Sequence, residues 1–343
     1  MTSNQDEPLL LSAARRRNRA RPPVWIMRQA GRYLPEYRAL RAQHSFVTLC
    51  ETPELAVEVS LLPHRLLAVD AVIVFYDILL PLERMGAPLE FTDEGPVFRE
   101  PIRSLEAVRR LSPLDPKRAG LGILESLARL KAHLGKATPV LGFAGAPFTL
   151  AAYLIEGDLG KGGEGIRRAL HRDPAMVHAL LGTLADATSG YLAAQIDAGA
   201  DAVQLFDTWA GLLSPADYRE FALPYQKRVF ETLGDRAPRI LYVNGSWHVL
   251  EEMGRAGADV VSVDWRGDLA TARRVLGEGV ALQGNFDPAA LFAPPERVRA
   301  TTLALLESRR GDPAHIVNLG HGVWPDTPVE SVRAFVETVQ SFR

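Results

Sequence analysis

"IDAGADAVQLF" (196–206) and "GRAGADVVSVD" (254–264) say the same thing twice. Each carries a helix-stopping glycine, then Ala-Asp, then a run of apolar β-formers. Glycine ends helices because it takes up a left-handed backbone without steric cost. A strand that is apolar throughout is buried on both faces, which is the pattern of a parallel sheet. "LAVDAVIVF" (67–75) is a looser copy of the same unit.

Working outward from these units, short apolar runs recur along the whole chain. They are VWIM (24–27), AVIVFYD (71–77), PVLGFAG (139–145), DAVQLFD (201–207), RILYVNG (239–245), DVVSVDW (259–265), VALQGNF (280–286) and HIVNLGHG (315–322). Helical spacing fills the gaps at 53–68, 119–135, 166–198, 215–233, 247–256, 268–277, 294–309 and 327–341. Thr52-Pro53, Ser214-Pro215 and Thr327-Pro328 read as hydroxyl caps followed by proline in the first turn. Strict β-then-α alternation implies an α/β protein with a parallel sheet, and eight units imply a single closed (β/α)8 barrel over 1–343. Residues 1–22 form an N-terminal extension. "APLEFTDEGPVFREP" (87–101), after the second strand, alternates like a hairpin insertion built around Glu94-Gly95. An open doubly wound sheet is the other arrangement, but no GxGxxG follows the first strand. No linker divides the chain.

Composition excludes several classes. The formal net charge of −2 over 343 residues gives no global case for nucleic-acid binding. No stretch reaches the ~18 apolar residues of a membrane helix. Cys50 is the single cysteine, so no internal disulfide can form and a cytoplasmic setting fits. The run Arg15, Arg16, Arg17, Arg19, Arg21 reads as a solvated helix face leading into Pro22-Pro23.

In a barrel of this kind the active site lies at the C-terminal ends of the strands. Those ends carry Arg28 and Arg32, Asp77, the stretch Gly145 to Tyr153, Asp207 and Thr208, Asn244 and Ser246, Asp264, Asn285 and Asp287, Asn318 and His321. One cysteine and scattered histidines do not supply a zinc site. None of the five lysines (117, 131, 136, 161, 227) lies at a strand end, which weakens Schiff-base chemistry. "GDLGKGGEG" (157–165) lacks the spacing of a phosphate loop and reads as a turn or mobile lid. What remains is a cofactor-free mouth in which guanidinium groups can grip carboxylates bidentately. Arg28 and Arg32 could instead pair with loop acids such as Glu36. Asp77 could cap a turn, Tyr153 could be helix packing and Thr208 could cap the next helix. His321, between two glycines, is an unusual core histidine. The residues alone leave a lyase, an isomerase or a transferase open.

The strings "MRQAGRYLPEYR" (27–38), "FYDILLP" (75–81), "GFAGAPFTLAAYLIEG" (142–157), "QLFDTWAG" (204–211), "QGNFDP" (283–288) and "NLGHGVWPDTP" (318–328) resemble, in order, the uroporphyrinogen decarboxylase family. The resemblance implies one (β/α)8 domain, a homodimer, and no metal or organic cofactor. It also implies removal of the four acetate carboxyl groups of uroporphyrinogen as carbon dioxide, giving coproporphyrinogen in tetrapyrrole synthesis. The substrate-binding string of the family falls on Arg28, Gln29, Ala30, Gly31 and Arg32. The aspartate that contacts the central pyrrole N–H groups falls on Asp77, the tyrosine on Tyr153 and the histidine on His321. The hydroxyl position, often serine, is Thr208 here. Ala144 stands where cysteine is common, which argues against an essential thiol. Two other readings are a corrinoid- or folate-linked methyltransferase of the same barrel superfamily and a non-catalytic porphyrin-binding protein. Cys50 lies far from the mouth in sequence order, which weakens the first.

Overall fold

The computed structural model describes residues 7–92, 95–119, 121–158 and 162–343. Glu94, the expected centre of a hairpin turn, lies outside the described residues, as do 159–161 of the glycine-rich segment and 1–6 of the N-terminal extension.

The repeated Ala-Asp unit turns out to be a clamp. The Asp201 backbone N–H donates to the Val140 carbonyl (2.7 Å), and its carboxylate accepts the Val140 N–H (2.9 Å) and Lys131 Nζ (2.6 Å). Asp259 engages Arg239 in the same way, N–H to carbonyl at 2.9 Å and carboxylate to N–H at 2.9 Å, and also accepts from the guanidinium. Asp70, in the looser copy, does so with Val24 (2.8 and 2.7 Å) and with Arg21 (2.8 Å). Each aspartate therefore fixes the start of its strand against the neighbouring strand through charge-assisted hydrogen bonds. Register is set there, before the strand begins.

The strands are β1 (Val72–Ile73), β2 (Leu89–Thr92), β3 (Gly95–Phe98), β4 (Val140–Gly145), β5 (Ala202–Asp207), β6 (Arg239–Val243), β7 (Val260–Ser262), β8 (Ala281–Gln283) and β9 (His315–Ile316). Seven form one curled parallel sheet in the order β1-β4-β5-β6-β7-β8-β9, and β2 pairs with β3 antiparallel, Leu89 opposite Phe98. Sequential neighbours throughout the large sheet follow from β-α-β crossovers that each return beside the preceding strand.

The first run, VWIM, does not form a full strand. It makes a parallel bridge, Val24 to Val317, on one side, and on the other its Val24 carbonyl accepts the Asp70 N–H. Pro22 and Pro23 have no N–H to give a ladder, and the Met27 N–H is taken by Asn318 Oδ1 (2.8 Å). The run nonetheless touches both edges of the sheet. Its Trp25 indole donates to Gln283 Oε1 (2.9 Å), whose amide donates to Gln204 (3.0 Å) and Ser262 (2.9 Å). All four are fully buried. These strands are thus not apolar throughout: their inward polar groups bond to one another across the sheet, with the Gln204 amide nitrogen left without a partner.

Two expected helices are each split. Segment 166–198 becomes Glu164–Arg172 and Pro174–Asp197, because Asp173 caps the second by accepting the Met176 N–H (3.0 Å) and proline opens it. Segment 215–233 divides at Ala222, just before Leu223-Pro224. Of the three hydroxyl caps, Ser214 accepts the Asp217 N–H (3.1 Å), whereas Thr52 makes no side-chain cap and Thr327 lies outside its helix. The N-terminal arginines are not one helix face. Their helix ends at Ala14, Arg15 and Arg17 pair with Glu7, and Arg21 belongs to the Asp70 clamp.

Candidate active site

The C-terminal strand ends gather the predicted residues. After the first run the chain turns at Arg28, which holds a left-handed backbone (φ 63°) that residues with a Cβ rarely adopt. Gln29 is fully buried and holds that turn: its Oε1 accepts the Ile26 N–H (3.0 Å) and its Nε2 donates to the Ala71 carbonyl (3.1 Å). Arg38 donates to the carbonyls of Arg32 (2.9 Å) and Tyr33 (3.1 Å), closing the loop from outside. Arg28 and Arg32 are left exposed, and among the described residues neither guanidinium has a hydrogen-bond or ion-pair partner, Glu36 included. The loop is built to present them. Ala30 and Gly31, between them, are partly exposed, and a Cβ on Gly31 would lie 2.9 Å from the Arg28 carbonyl oxygen.

Asp77 follows β1. Its Oδ1 accepts the Leu79 N–H (2.7 Å), so it does cap a turn, and the residue as a whole is only partly buried. Burial raises its pKa to about 6, while the N–H groups of Leu79 and Leu80 and the Arg28 charge pull it back. Structural and chemical roles coexist in this side chain.

Tyr153 sits in the helix Pro147–Glu156 after β4, edge-on to Trp209 with ring centroids 5.9 Å apart. Burial raises its phenol above the usual value; the Trp209 side chain and Arg28 oppose the rise, and the Asp77 charge adds to it. Asp207, at the end of β5, fixes both aromatic groups. Its fully buried carboxylate accepts from the Thr149 N–H (3.1 Å), Thr149 Oγ1 (2.7 Å) and Gln226 Nε2 (2.8 Å), and Thr149 Oγ1 accepts the Trp209 N–H (3.1 Å). Thr149 lies one helical turn before Tyr153. Thr208, next in the chain, is partly exposed, and its hydroxyl has no protein partner among the described residues, so it does not cap the following helix.

His321 completes the ring. The Gly322 N–H donates to its Nδ1 (2.7 Å), which assigns the remaining proton to Nε2. Burial lowers its pKa to about 4, with Arg28 and Arg266 adding to the fall and Asp264 opposing it. The ring is therefore neutral near pH 7, and its free edge is a hydrogen-bond donor. Of the flanking glycines, Gly320 is required by the backbone beside it, and Gly322 makes room for the Arg28 side chain. A Cβ on Gly320 would come within 2.4 Å of the Trp265 nitrogen, and one on Gly322 within 2.3 Å of Arg28 Cδ. Tyr242 packs edge-on against His321 (6.2 Å between centroids) and donates to the Gly320 carbonyl (3.0 Å).

Arg28, Asp77, Tyr153 and His321 thus share one electrostatic neighbourhood, while Gln29 faces the protein. Other flagged strand ends brace the mouth: Asn318 accepts from Met27 and Leu319, Asn285 donates to the Asp264 and Gly267 carbonyls, and Asp287 caps Ala289. Cys50 is buried, and its thiol is pushed up by burial first and then by the Asp77 charge, which places it nearer the site than its position in the chain suggests. Among the described residues no group of three or more His, Cys, Asp or Glu side chains is disposed to hold a metal ion. Sequence reasoning missed Tyr242, Trp209 and Arg266. Only their proximity to flagged strand ends could have pointed to them.

Comparison with known proteins bears on the fold and the family. The chain has 21% identity to a solved methyltransferase from Methanosarcina mazei, with a TM-score of 0.79 and 97% of each chain covered, a likeness of fold. It is 49% identical over 339 residues to a uroporphyrinogen decarboxylase from Gloeobacter violaceus, covering 98% of this chain and 97% of the relative. It is 46% identical to one from Carboxydothermus hydrogenoformans, covering 96% and 95%. The family model described as uroporphyrinogen decarboxylase (URO-D) matches residues 5–342. The chain belongs to the uroporphyrinogen decarboxylase family.

Proposed function

We propose that this protein decarboxylates the acetate side chains of uroporphyrinogen, using its own side chains and the electronics of the substrate. The observation that carries the reading is the pairing, in one mouth, of Arg28, whose guanidinium has no partner among the described residues, with a recessed Asp77 carboxylate. A flexible macrocycle bearing eight carboxylates and a centre of pyrrole N–H donors is complementary to both.

Each cycle takes up one proton and releases one carbon dioxide. A pyrrole ring carbon accepts a proton, which makes the ring a cation and an electron sink. The bond from the acetate methylene to its carboxylate then breaks, and its electron pair neutralises the ring as an exocyclic methylene. That methylene gains a proton to become methyl, and the ring carbon loses the one it took. Asp77, ionised above pH about 6, stabilises the ring cation through charge already in place before reaction. Contact with pyrrole N–H donors or the cation lowers its pKa further. Arg28 or Arg32 holds the reacting acetate or passes the proton through water. A guanidinium has a pKa above ~12, so water is the better immediate donor. His321, through Nε2–H, and Tyr153 bind peripheral carboxylates, with Thr208 as a further hydroxyl contact. Ala30 and Gly31 let substrate approach the backbone of the loop, and Gln29 contributes by fixing it.

The same reading takes the first run as the eighth stave of a closed (β/α)8 barrel in one domain, supported by its hydrogen bonds to both sheet edges. It also takes the protein to be a cytoplasmic homodimer. Phe292 and Trp324, each more than 40% exposed and with ring centroids 5.5 Å apart, support an apolar contact, and sedimentation of the intact chain tests it. No helix among the described residues is long and apolar enough to cross a membrane.

The deciding experiment incubates the purified protein anaerobically with chemically reduced uroporphyrinogen and counts carboxyl groups in the products. Stepwise loss of four supports the assignment, and an unchanged count contradicts it.

A further inference from the structure

Beyond the family's motifs, the loop after β7 carries a third arginine into the mouth. Arg266 is held on three sides. Its Nη1 donates to the fully buried Asp264 carboxylate (2.7 Å) and to Asn244 Oδ1 (3.2 Å), and its guanidinium lies 4.2 Å over the Trp265 ring. Asp264 is itself satisfied by the N–H groups of Gly245 and Arg266 and by the Trp247 indole. Its charge is therefore spread over several donors rather than spent on the arginine alone. The loop abuts the His321 turn, since Gly320 has no room for a Cβ beside Trp265. The Arg266 side chain nevertheless stays 47% exposed, and among the described residues its Nε and Nη2 bond to nothing.

Nε and Nη2 form the edge of a guanidinium that grips a carboxylate with two parallel hydrogen bonds. A side chain already fixed by an ion pair and a stacked indole loses little freedom when it binds. We infer that Arg266 is a substrate-binding residue that grips a peripheral carboxylate of the macrocycle from the side of the mouth formed by the β7 loop, next to His321. This rests on the reading of the mouth as a polycarboxylate site. Arg28, and not Arg266, is the arginine whose charge acts on the Asp77 carboxyl, so Arg266 holds a carboxylate that is not the one leaving and acts on binding rather than on the chemical step.

The test compares Arg266→Gln and Arg266→Lys with the unaltered protein in anaerobic steady-state turnover of uroporphyrinogen. Losing a bidentate charge-assisted contact raises KM by about tenfold, with kcat within about twofold. Arg266→Lys keeps the charge and the Asp264 pair but lacks the fork, so it shows the same KM rise with an unaltered melting temperature. Unchanged KM in both variants overturns the inference while leaving the decarboxylase reading intact. A fall in kcat alone also overturns it, because a merely structural role would disturb the site without weakening binding. No turnover by the unaltered protein overturns the underlying reading and this inference with it.

Discussion

The side chain of Arg28 lies directly on Gly322: a Cβ at residue 322 would sit 2.3 Å from Arg28 Cδ. The first and last motifs of the chain therefore depend on each other, and the glycine after His321 exists to let the arginine lie down. Gly322→Ala should displace Arg28 and lower kcat/KM by about tenfold to a hundredfold, close to the effect of Arg28→Ala. The double variant should be little worse than either single one. Full additivity would mean that the two residues act independently.

Gln29 should behave as a structural residue. Gln29→Leu leaves the Ile26 N–H and the Ala71 carbonyl buried without partners, which costs about 1–3 kcal/mol each. Denaturant melts should show that loss, with KM rising only as the Arg28 loop loosens. A variant of normal stability with sharply weakened substrate binding would assign the Gln29 side chain to the substrate instead.

His321 should donate a hydrogen bond and stay neutral throughout the working pH range, since its pKa is lowered to about 4. His321→Gln, which retains an N–H donor, should keep most activity. His321→Leu should raise KM by about tenfold. A kinetic pKa near 6.5 that disappears in His321→Leu would show the ring to be a proton carrier.

Asp77 sets the pH behaviour. The proposed mechanism needs the ionised form, so kcat/KM of the free enzyme should fall as pH drops through about 6. Stability moves the opposite way. The folded-state pKa lies above the unfolded value of 3.8, so the fold favours the protonated carboxyl. Its contribution is fully present below pH 3.8 and lost as pH rises through about 6. Asp77→Asn should therefore stabilise the protein at pH 8, by at most roughly 3 kcal/mol, and show no gain near pH 4. Equal stability of the two proteins at both pH values would mean that the carboxylate is not held at a cost.

Much of this arrangement was legible in the chain because strand ends announce themselves. Asp70, Asp201 and Asp259 mark the starts of strands, and Arg28, Asp77, Asp207 and His321 mark the ends. Apolar content alone reads the first run as a full strand, and it does not reveal that Pro22-Pro23 cannot donate and that Asn318 takes the Met27 N–H. The resemblance places Gln29 in the substrate-binding string without saying where its side chain points: in "RQAGR" only the distant Ala71 carbonyl decides which side chain turns in. Cys50 looked remote because sequence order says nothing about what a helix packs behind. Arg266 was passed over because nothing in "DWRGD" shows that Asp264 and Asn244 hold the guanidinium by one nitrogen and leave its fork free.

In the proposed mechanism the ring cation is carried by a fixed negative charge, that of Asp77. That role is tested most directly by single-turnover decarboxylation of uroporphyrinogen by Asp77→Asn beside the unaltered protein at pH 8, with folding checked on the same samples. The chemical step should be slower by about 10²–10³-fold in a variant that is folded and still binds the macrocycle. A near-normal rate would contradict that role.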